Sequence, residues 1–144
     1  MANPKFYYHL TQDLTWPDKI ILYPRIEGQN RSDDEPLVPR TCVAPTIEGC
    51  IIALGSCLAL YYTTYIYRTV NKVLARNPYS VNDSHITKEK WITKPITFKL
   101  VGVLNDFLPE DIYWISTGGY SDLKYQKKYM KKLQKMKLSF VDWV

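Results

Sequence analysis

The stretch YYTTYIYR, residues 61–68, carries the clearest strand pattern in this chain of 144 residues. Aromatic and β-branched residues, which favour strands, fill almost every position. Side chains on a strand point alternately to its two faces, so Tyr61, Thr63, Tyr65 and Tyr67 share one face and Tyr62, Thr64 and Ile66 the other. The segment therefore predicts a β-strand over residues 61–68.

A short apolar helix is predicted just before this strand. Pro45 and Glu48 suit the first turn of a helix, and Gly55 stands where such a helix would end. Because Thr46–Leu54 is mostly apolar, we expect this helix to lie against a sheet. The preceding Arg40–Ala44 predicts a brief buried strand.

Two further strands are predicted near the N-terminus, over Lys5–Thr11 and Lys19–Arg25. Alternation along the first strand places His9 and Thr11 on the same face as Tyr7. Glu27–Pro39 is polar and contains few aliphatic residues, which predicts a surface loop and a candidate lid.

The segments after the strand predicted over residues 61–68 complete the predicted order of elements. Asn71–Ser84 predicts a loop, and Ile86–Asp106 predicts two strands or one long bent strand, broken at Lys94-Pro95 because proline cannot donate to a ladder. Ser121–Ser139 predicts a helix. Strands, one short helix, more strands and a terminal helix together predict an α+β fold with a largely antiparallel sheet.

The net charge of +5 is concentrated at the C-terminus. Residues 124–144 contain seven lysines and one acidic residue, a net charge of +6, whereas residues 1–123 sum to −1. A chain of this length buries one core. We therefore predict a single domain over residues 1–144, with a near-neutral body and a basic C-terminal helix. The total charge alone does not predict that the body binds nucleic acid.

The longest apolar run, the N-terminus and the cysteines indicate the cellular compartment. Cys50–Tyr62 has 13 residues, fewer than the roughly 20 that span a bilayer, so it predicts buried core and no membrane partner. The N-terminus lacks an apolar signal core, which predicts a cytoplasmic location. The cysteines Cys42, Cys50 and Cys57 are odd in number and form no C-x-x-C pair. They favour buried thiols over disulfides, and no metal is expected.

Both histidines stand in the same tripeptide pattern, His9-Leu10-Thr11 and His85-Ile86-Thr87. The pair resembles the H-x-T motifs of the two-histidine phosphoesterases, in which each imidazole handles one proton and each hydroxyl holds a phosphoryl oxygen. The resemblance implies that His9 and His85 cleave a cyclic or oligonucleotide phosphodiester, with Thr11 and Thr87 binding the phosphate. The alternative is a surface His85 without a catalytic role.

A second resemblance spans residues 6–105 and rests on element order. Its motifs are Tyr8–Thr11, Leu22–Arg25, Arg40–Thr46, Tyr61–Tyr67, Lys88–Trp91 and Lys99–Gly102. This order resembles the ADP-ribosyltransferase-type fold, and in particular its histidine-containing branch, which includes RNA 2′-phosphotransferases and small phage-encoded proteins. The resemblance implies a split sheet and a cleft for a nucleotide or NAD-like ligand. It also implies ADP-ribose transfer, with NAD as the cofactor.

The same resemblance implies roles for single residues. His9 matches the histidine that holds a ribose or a phosphate, and Thr11 would line the same pocket. Glu89 matches the glutamate that polarises the ribose 2′-hydroxyl and stabilises oxocarbenium-like charge. Thr46 matches a hydroxyl residue at a helix N-terminus, where backbone N–H groups suit an anion. Tyr62 or Tyr65 would supply the active-site tyrosine.

Arg25 and Arg40 stand at strand ends beside the acidic loop and are candidates for bidentate phosphate contacts. Each of these assignments has a structural alternative. His9 can be a half-buried strand residue, Thr46 a helix cap and Glu89 a solvated turn residue. The two arginines can pair with the acidic residues at 33–35.

The C-terminal segment has an amphipathic pattern. Tyr129, Leu133, Met136 and Phe140 recur at helical spacing and form one apolar stripe, with lysines around it. Such a helix either docks on the sheet with a solvated lysine face, or presents Lys124–Lys137 to a host protein or a nucleic acid. A third hypothesis for the whole chain is a non-enzymatic phage inhibitor of a host protein.

Overall fold

The computed structural model describes residues 3–26, 37–55, 58, 62–78, 84–106, 108 and 123–144. Within these residues the order of elements is β1 (Tyr8–Thr11), β2 (Lys19–Leu22), β3 (Thr41–Val43), α1 (Ile47–Leu54), β4 (Tyr65–Thr69), α2 (Ser84–Thr87), β5 (Lys90–Ile92), β6 (Ile96–Leu104), α3 (Leu123–Lys135) and β7 (Val141–Trp143).

The larger of two antiparallel sheets is built around β6. β1, β4, β6 and β2 lie side by side in this order, and β7 also pairs with β6. One edge of β6 receives β4, while the other edge pairs with β2 over 96–99 and with β7 over 102–104. The nine-residue length of β6 allows two short strands to share that edge end to end.

β3 and β5 form a separate two-stranded sheet, in which Cys42 lies opposite Trp91. A bridge between Tyr8 and Ala44 connects this sheet to β1. The predicted break at Lys94-Pro95 is confirmed, because β5 and β6 flank it and enter different sheets. The predicted α+β class with largely antiparallel strands is likewise confirmed.

Both faces of the larger sheet are covered by apolar side chains. Leu10 packs with Leu133 of α3 on the face that receives α1 and α3. Tyr7 and Phe98 pack on the opposite face, against side chains of the small sheet. The predicted alternation along β1 therefore holds, and it directs His9 into the space between the two sheets.

Local signals set the ends of α1. The Thr46 hydroxyl accepts a hydrogen bond from the Gly49 N–H at 3.0 Å and caps the N-terminus. Gly55 closes the helix with φ 48°, in the left-handed region that glycine adopts without strain. The predicted helix is confirmed, and Thr46 takes the cap role that the sequence offered as an alternative.

Several predicted boundaries before β5 were wrong. β1 begins at Tyr8 rather than at Lys5, and β2 ends at Leu22 rather than at Arg25. β4 begins at Tyr65, and the described residues 62–64 that precede it are not in a strand. Residues 84–87 form the helical turn α2, where a strand was predicted to begin at Ile86. Ile86 and Thr87 are buried in that turn, so tertiary packing outweighs their β-branched preference for a strand.

The C-terminal helix is shorter than predicted. It ends at Lys135, and Lys137 and Leu138 have positive φ angles of 50° and 60°. The chain then turns into β7. Phe140 still reaches the apolar cluster around Leu133, from the turn rather than from the helix. Within the described part of the chain, no helix is long and apolar enough to cross a membrane.

Candidate functional site

A cleft of about 100 Å³ opens where β1, the segment after β2, and β3 meet. Its described lining residues are His9, Trp16, Leu22, Tyr23, Arg25, Arg40, Thr41 and Cys42. Reciprocal backbone hydrogen bonds between Arg25 and Arg40, of 3.1 and 2.8 Å, hold the two chain segments together at the cleft. The structure thus brings together His9, Arg25 and Arg40, three of the residues predicted from the sequence.

The His9 ring is fixed in its orientation by its neighbours. Its Nδ1 lies 2.8 Å from the carbonyl oxygen of Cys42. Because a carbonyl only accepts, Nδ1 is the donor, and the neutral ring carries its acceptor at Nε2. The ring stacks on Trp16 with centroids 5.8 Å apart and planes 8° apart, and meets the edge of Phe98 at 6.2 Å. This is the half-buried strand position that the sequence offered for His9, and it also faces the cleft.

Arg40 is a buried cation held by an aromatic ring. Its side chain is 2% exposed, and its guanidinium carbon lies 4.0 Å from the centroid of Trp91. One guanidinium nitrogen, Nη1, donates to the Val38 carbonyl at 3.3 Å. A desolvated guanidinium over an indole is attracted by the ring quadrupole. Arg40 therefore places a buried positive charge beside the cleft that it lines.

The mouth of the cleft carries two exposed side chains. Arg25 is exposed, and Tyr23 is 67% exposed. Trp16 also lines the cleft; it is half-buried and packs edge-on against Tyr67 at 5.3 Å. The cleft therefore combines cationic groups with aromatic faces. The acidic residues at 33–35, offered as partners of the arginines, lie outside the described residues, as do positions 27–36 of the predicted loop.

Glu89 lies apart from the cleft lining. Its Oε2 accepts a hydrogen bond from the Trp91 indole N–H at 2.9 Å, and Trp91 is fully buried. Glu89, Trp91 and Arg40 thus form a chain of contacts in which one indole touches both an anion and a cation. In this arrangement the Glu89 carboxylate positions the core tryptophan.

Thr46 and Thr87 lie where α1 meets α2. A Cβ added to Gly49 would lie 2.3 Å from the Thr87 carbonyl oxygen and 3.0 Å from the Thr46 hydroxyl. The Thr87 hydroxyl accepts a hydrogen bond from the Glu89 N–H at 3.2 Å. Both threonine hydroxyls therefore accept bonds from backbone N–H groups next to this contact, outside the cleft lining.

The remaining predicted residues also lie away from the cleft lining. The Thr11 hydroxyl accepts a hydrogen bond from the Asp13 N–H at 3.1 Å in a local turn. Tyr62 is 67% exposed ahead of β4, and Tyr65 packs on the sheet face that carries Tyr7. The structure does not bring these hydroxyl groups to His9.

His85 and His9 lie on different sides of the larger sheet. His85 is exposed on α2, which packs against α1 and α3. His9 projects from the opposite face of β1, toward the small sheet. This placement does not supply the pair of adjacent imidazoles that a two-histidine mechanism requires.

The cysteines differ in their surroundings. Cys42 is half-buried on the cleft wall, and Cys50 is buried, with its thiol donating to the Tyr8 carbonyl at 3.3 Å. Burial, aided by the charges of Glu89 and Glu48, raises the pKa of the Cys50 thiol from 9.0 to about 12. The predicted buried thiol is confirmed for Cys50, while Cys57 lies outside the described residues.

The raised pKa of Cys50 predicts a loss of stability in alkali. Between pH 9 and pH 12 the folded chain keeps a proton that the unfolded chain releases, so stability falls as pH rises. The slope is at most about 1.4 kcal/mol per pH unit. In urea titrations at pH 8 and pH 10, we expect Cys50→Ala to lose less stability than the wild type. An equal loss in both proteins would contradict this placement of the thiol.

Trp16, Leu22, Tyr23, Thr41 and Cys42 line the cleft but were not predicted as site residues. Leu22 and Tyr23 lie in the same motif as Arg25, which was a usable signal. Trp16 follows a polar turn, and its role depends on stacking with His9 across the fold. No group of three or more potential metal-ligating side chains occurs among the residues that the structure describes.

Comparison of the chain with protein-family models, with curated proteins and with solved structures found no match in any of the three.

Proposed function

We propose that the cleft binds a nucleotide, with a phosphate at Arg25 and Arg40 and a planar ring against Trp16 or Tyr23. The observation that carries the proposal is the meeting of His9, two arginines and two aromatic side chains in one cleft. Nucleotides combine an anion with an aromatic ring, so this set of side chains matches both halves of the ligand.

The two arginines suit a phosphate in different ways. Arg40 is buried and held over Trp91, so it loses little conformational entropy when an anion arrives. Arg25 is exposed at the mouth, and its guanidinium can turn to give a two-point hydrogen bond to phosphate oxygens. His9 adds a third polar side chain to the lining of the same cleft.

The size of the cleft limits what it encloses. Its volume of about 100 Å³ is below the roughly 300–1,000 Å³ of sites that surround a whole small molecule. One phosphate or one ring fits inside, and the rest of the ligand lies along the exposed Tyr23. We therefore expect dissociation constants of about 10–100 μM for ADP, ADP-ribose or NAD.

We also propose that the chain has an ADP-ribosyltransferase-type fold. The division of the strands into two antiparallel sheets, with His9 on the first strand, supports it. Transfer of ADP-ribose would require a carboxylate at the ribose, whereas Glu89 is held by the Trp91 indole outside the cleft lining. We therefore propose binding as the function and do not extend it to transfer.

Removing the charge of Arg25 tests this site. We expect Arg25→Gln to weaken ADP binding about five- to tenfold in isothermal titration calorimetry, because the glutamine cannot donate a charge-assisted hydrogen bond to the phosphate. Arg76→Gln is the matched control, since Arg76 is also exposed and also forms an isolated backbone bridge, to Trp91. Adenosine, which lacks the phosphate, should bind equally to wild type and Arg25→Gln.

Three results would overturn the proposal. One is no detectable binding of ADP, ADP-ribose or NAD to the wild type. Another is equal loss of ADP affinity in Arg25→Gln and Arg76→Gln, which would reflect net charge alone. The third is an equal loss of adenosine and ADP affinity in Arg25→Gln, which would place the arginine away from the phosphate.

A further inference from the structure

The exposed side of α3 is a continuous cationic surface. The helix contains six lysines and no acidic residue in 13 positions. All six are exposed, and they are Lys124, Lys127, Lys128, Lys131, Lys132 and Lys135; we call this set the lysine face. Spacings of three and four residues align Lys124, Lys128, Lys131 and Lys135 along one side, over a rise of about 16 Å.

The apolar side of α3 is already used by the fold. Leu133 and Gln126 are fully buried, and Tyr129 and Met130 pack against the same core. A basic amphipathic helix that binds membranes inserts its apolar side among the lipids. In α3 that side is covered by the core, so a partner would contact the lysines and the residues that border them.

An aromatic side chain borders the lysine face. Tyr125 is 49% exposed, and it lies one helical turn before Lys128, so the two side chains are neighbours on the helix surface. Tyr129 is approached by Lys128 and Lys132 at 5.5 and 5.7 Å. Lysines interleaved with an exposed aromatic ring are the combination that binds single-stranded nucleic acid, by phosphate attraction and base stacking.

We propose that the lysine face binds single-stranded nucleic acid. Protein interfaces are depleted in lysine and contain an apolar centre, whereas the lysine face has no such centre, because the apolar side chains of α3 pack into the core. Charge complementarity therefore favours a polyphosphate over an acidic protein. This surface is independent of the nucleotide cleft, because none of its residues lines that cleft.

The test is fluorescence anisotropy with a labelled single-stranded DNA oligonucleotide at several NaCl concentrations. The test variant replaces Lys124, Lys128, Lys131 and Lys135 by Gln. The matched control replaces four exposed lysines elsewhere by Gln, namely Lys5, Lys72, Lys88 and Lys94. Both variants have the same net charge, and circular dichroism shows whether each remains folded.

We expect the test variant to weaken binding at least tenfold and the control to change it less than about threefold. The slope of log affinity against log salt should become shallower by about 0.7 for each phosphate that the variant no longer neutralises. Tyr125→Ala should weaken the oligonucleotide about tenfold and leave heparin, a polyanion without bases, unchanged.

Either of two results with the wild type and the lysine variants would overturn the proposal: no DNA binding by the wild type near 50 mM salt, or an equal loss of DNA affinity in the two lysine variants. Equal losses of heparin and DNA affinity in Tyr125→Ala would also overturn it. So would displacement of DNA by poly-glutamate at equal charge concentration. The last result would assign the surface to an acidic protein. ADP binding in the cleft should be unchanged in the test variant, so failure of this proposal is distinguishable from failure of the proposed function.

Discussion

Replacing Trp91 by alanine should lower the free energy of unfolding by about 4–5 kcal/mol, which is the upper range for a buried tryptophan. Trp91 is fully buried at the centre of the two-stranded sheet. Its removal leaves a large cavity, takes the aromatic face away from the Arg40 guanidinium and deletes the hydrogen-bond donor to Glu89. Because natural domains are stable by about 5–15 kcal/mol, we expect a protein near its unfolding threshold in urea titrations followed by circular dichroism.

Two milder variants separate the causes. Trp91→Phe keeps a ring under Arg40 but loses the donor to Glu89, so we expect a loss of about 1.5–3 kcal/mol. Glu89→Gln keeps an acceptor for the indole N–H and should cost less than about 1.5 kcal/mol. If Trp91→Ala cost no more than Trp91→Phe, the contact between Arg40 and the Trp91 ring would contribute nothing, contrary to its buried geometry.

Gly49→Ala should also destabilise the fold, by about 2–3 kcal/mol. The added Cβ would lie 2.3 Å from the Thr87 carbonyl oxygen, a backbone atom that moves only if α2 moves. At an unconstrained helix position the same change stabilises, by about 1 kcal/mol, because alanine has the higher helix propensity. The sign of the effect in thermal or urea unfolding therefore reports on the contact between α1 and α2.

Ala53→Gly in the same helix is the control for Gly49→Ala. Ala53 is half-buried near the end of α1, and we expect this substitution to cost about 1 kcal/mol through propensity alone. A stabilised Gly49→Ala protein, alongside the expected loss in Ala53→Gly, would show that α2 does not pack on Gly49 as described.

The elements that sequence patterns predicted are those with local signals. α1 has a capping threonine, an acidic residue in its first turn and a terminal glycine, and its observed bounds follow them. β4 shares residues 65–68 with its aromatic and β-branched run and extends one residue further, to Thr69. Pro95 separates β5 from β6 as expected. Each of these signals acts over a few residues, so one chain segment is enough to read it.

The features that the sequence missed depend on contacts between distant segments. β7 is only three residues long, and it forms because Val141–Trp143 pairs with the edge of β6, about 40 residues earlier in the sequence. The assignment of strands to two sheets has the same origin. α2 contains two β-branched residues, Ile86 and Thr87, whose burial against α1 overrides their strand preference.

The candidate site was predicted in part. His9, Arg25 and Arg40 meet in one cleft because β1, the segment after β2, and the start of β3 converge there. Glu89 stands two residues before Trp91, a spacing that puts both side chains on one side of an extended segment. That spacing is a local signal for the hydrogen bond between them, although this bond was not predicted. The stacking of Trp16 on His9 has no local signal.

The most direct test of nucleotide binding in the cleft is a titration of the ¹⁵N-labelled protein with ADP, followed by NMR at about 150 mM NaCl to screen the lysine face. We expect the largest shifts at the Trp16 indole N–H and at the backbone amides of His9, Tyr23, Arg25 and Cys42. The amides of Gly49 and Thr87, at the contact between α1 and α2, should stay unchanged. No shifts at about 1 mM ADP, or shifts confined to the region around Gly49, Thr87 and Glu89, would contradict nucleotide binding in this cleft.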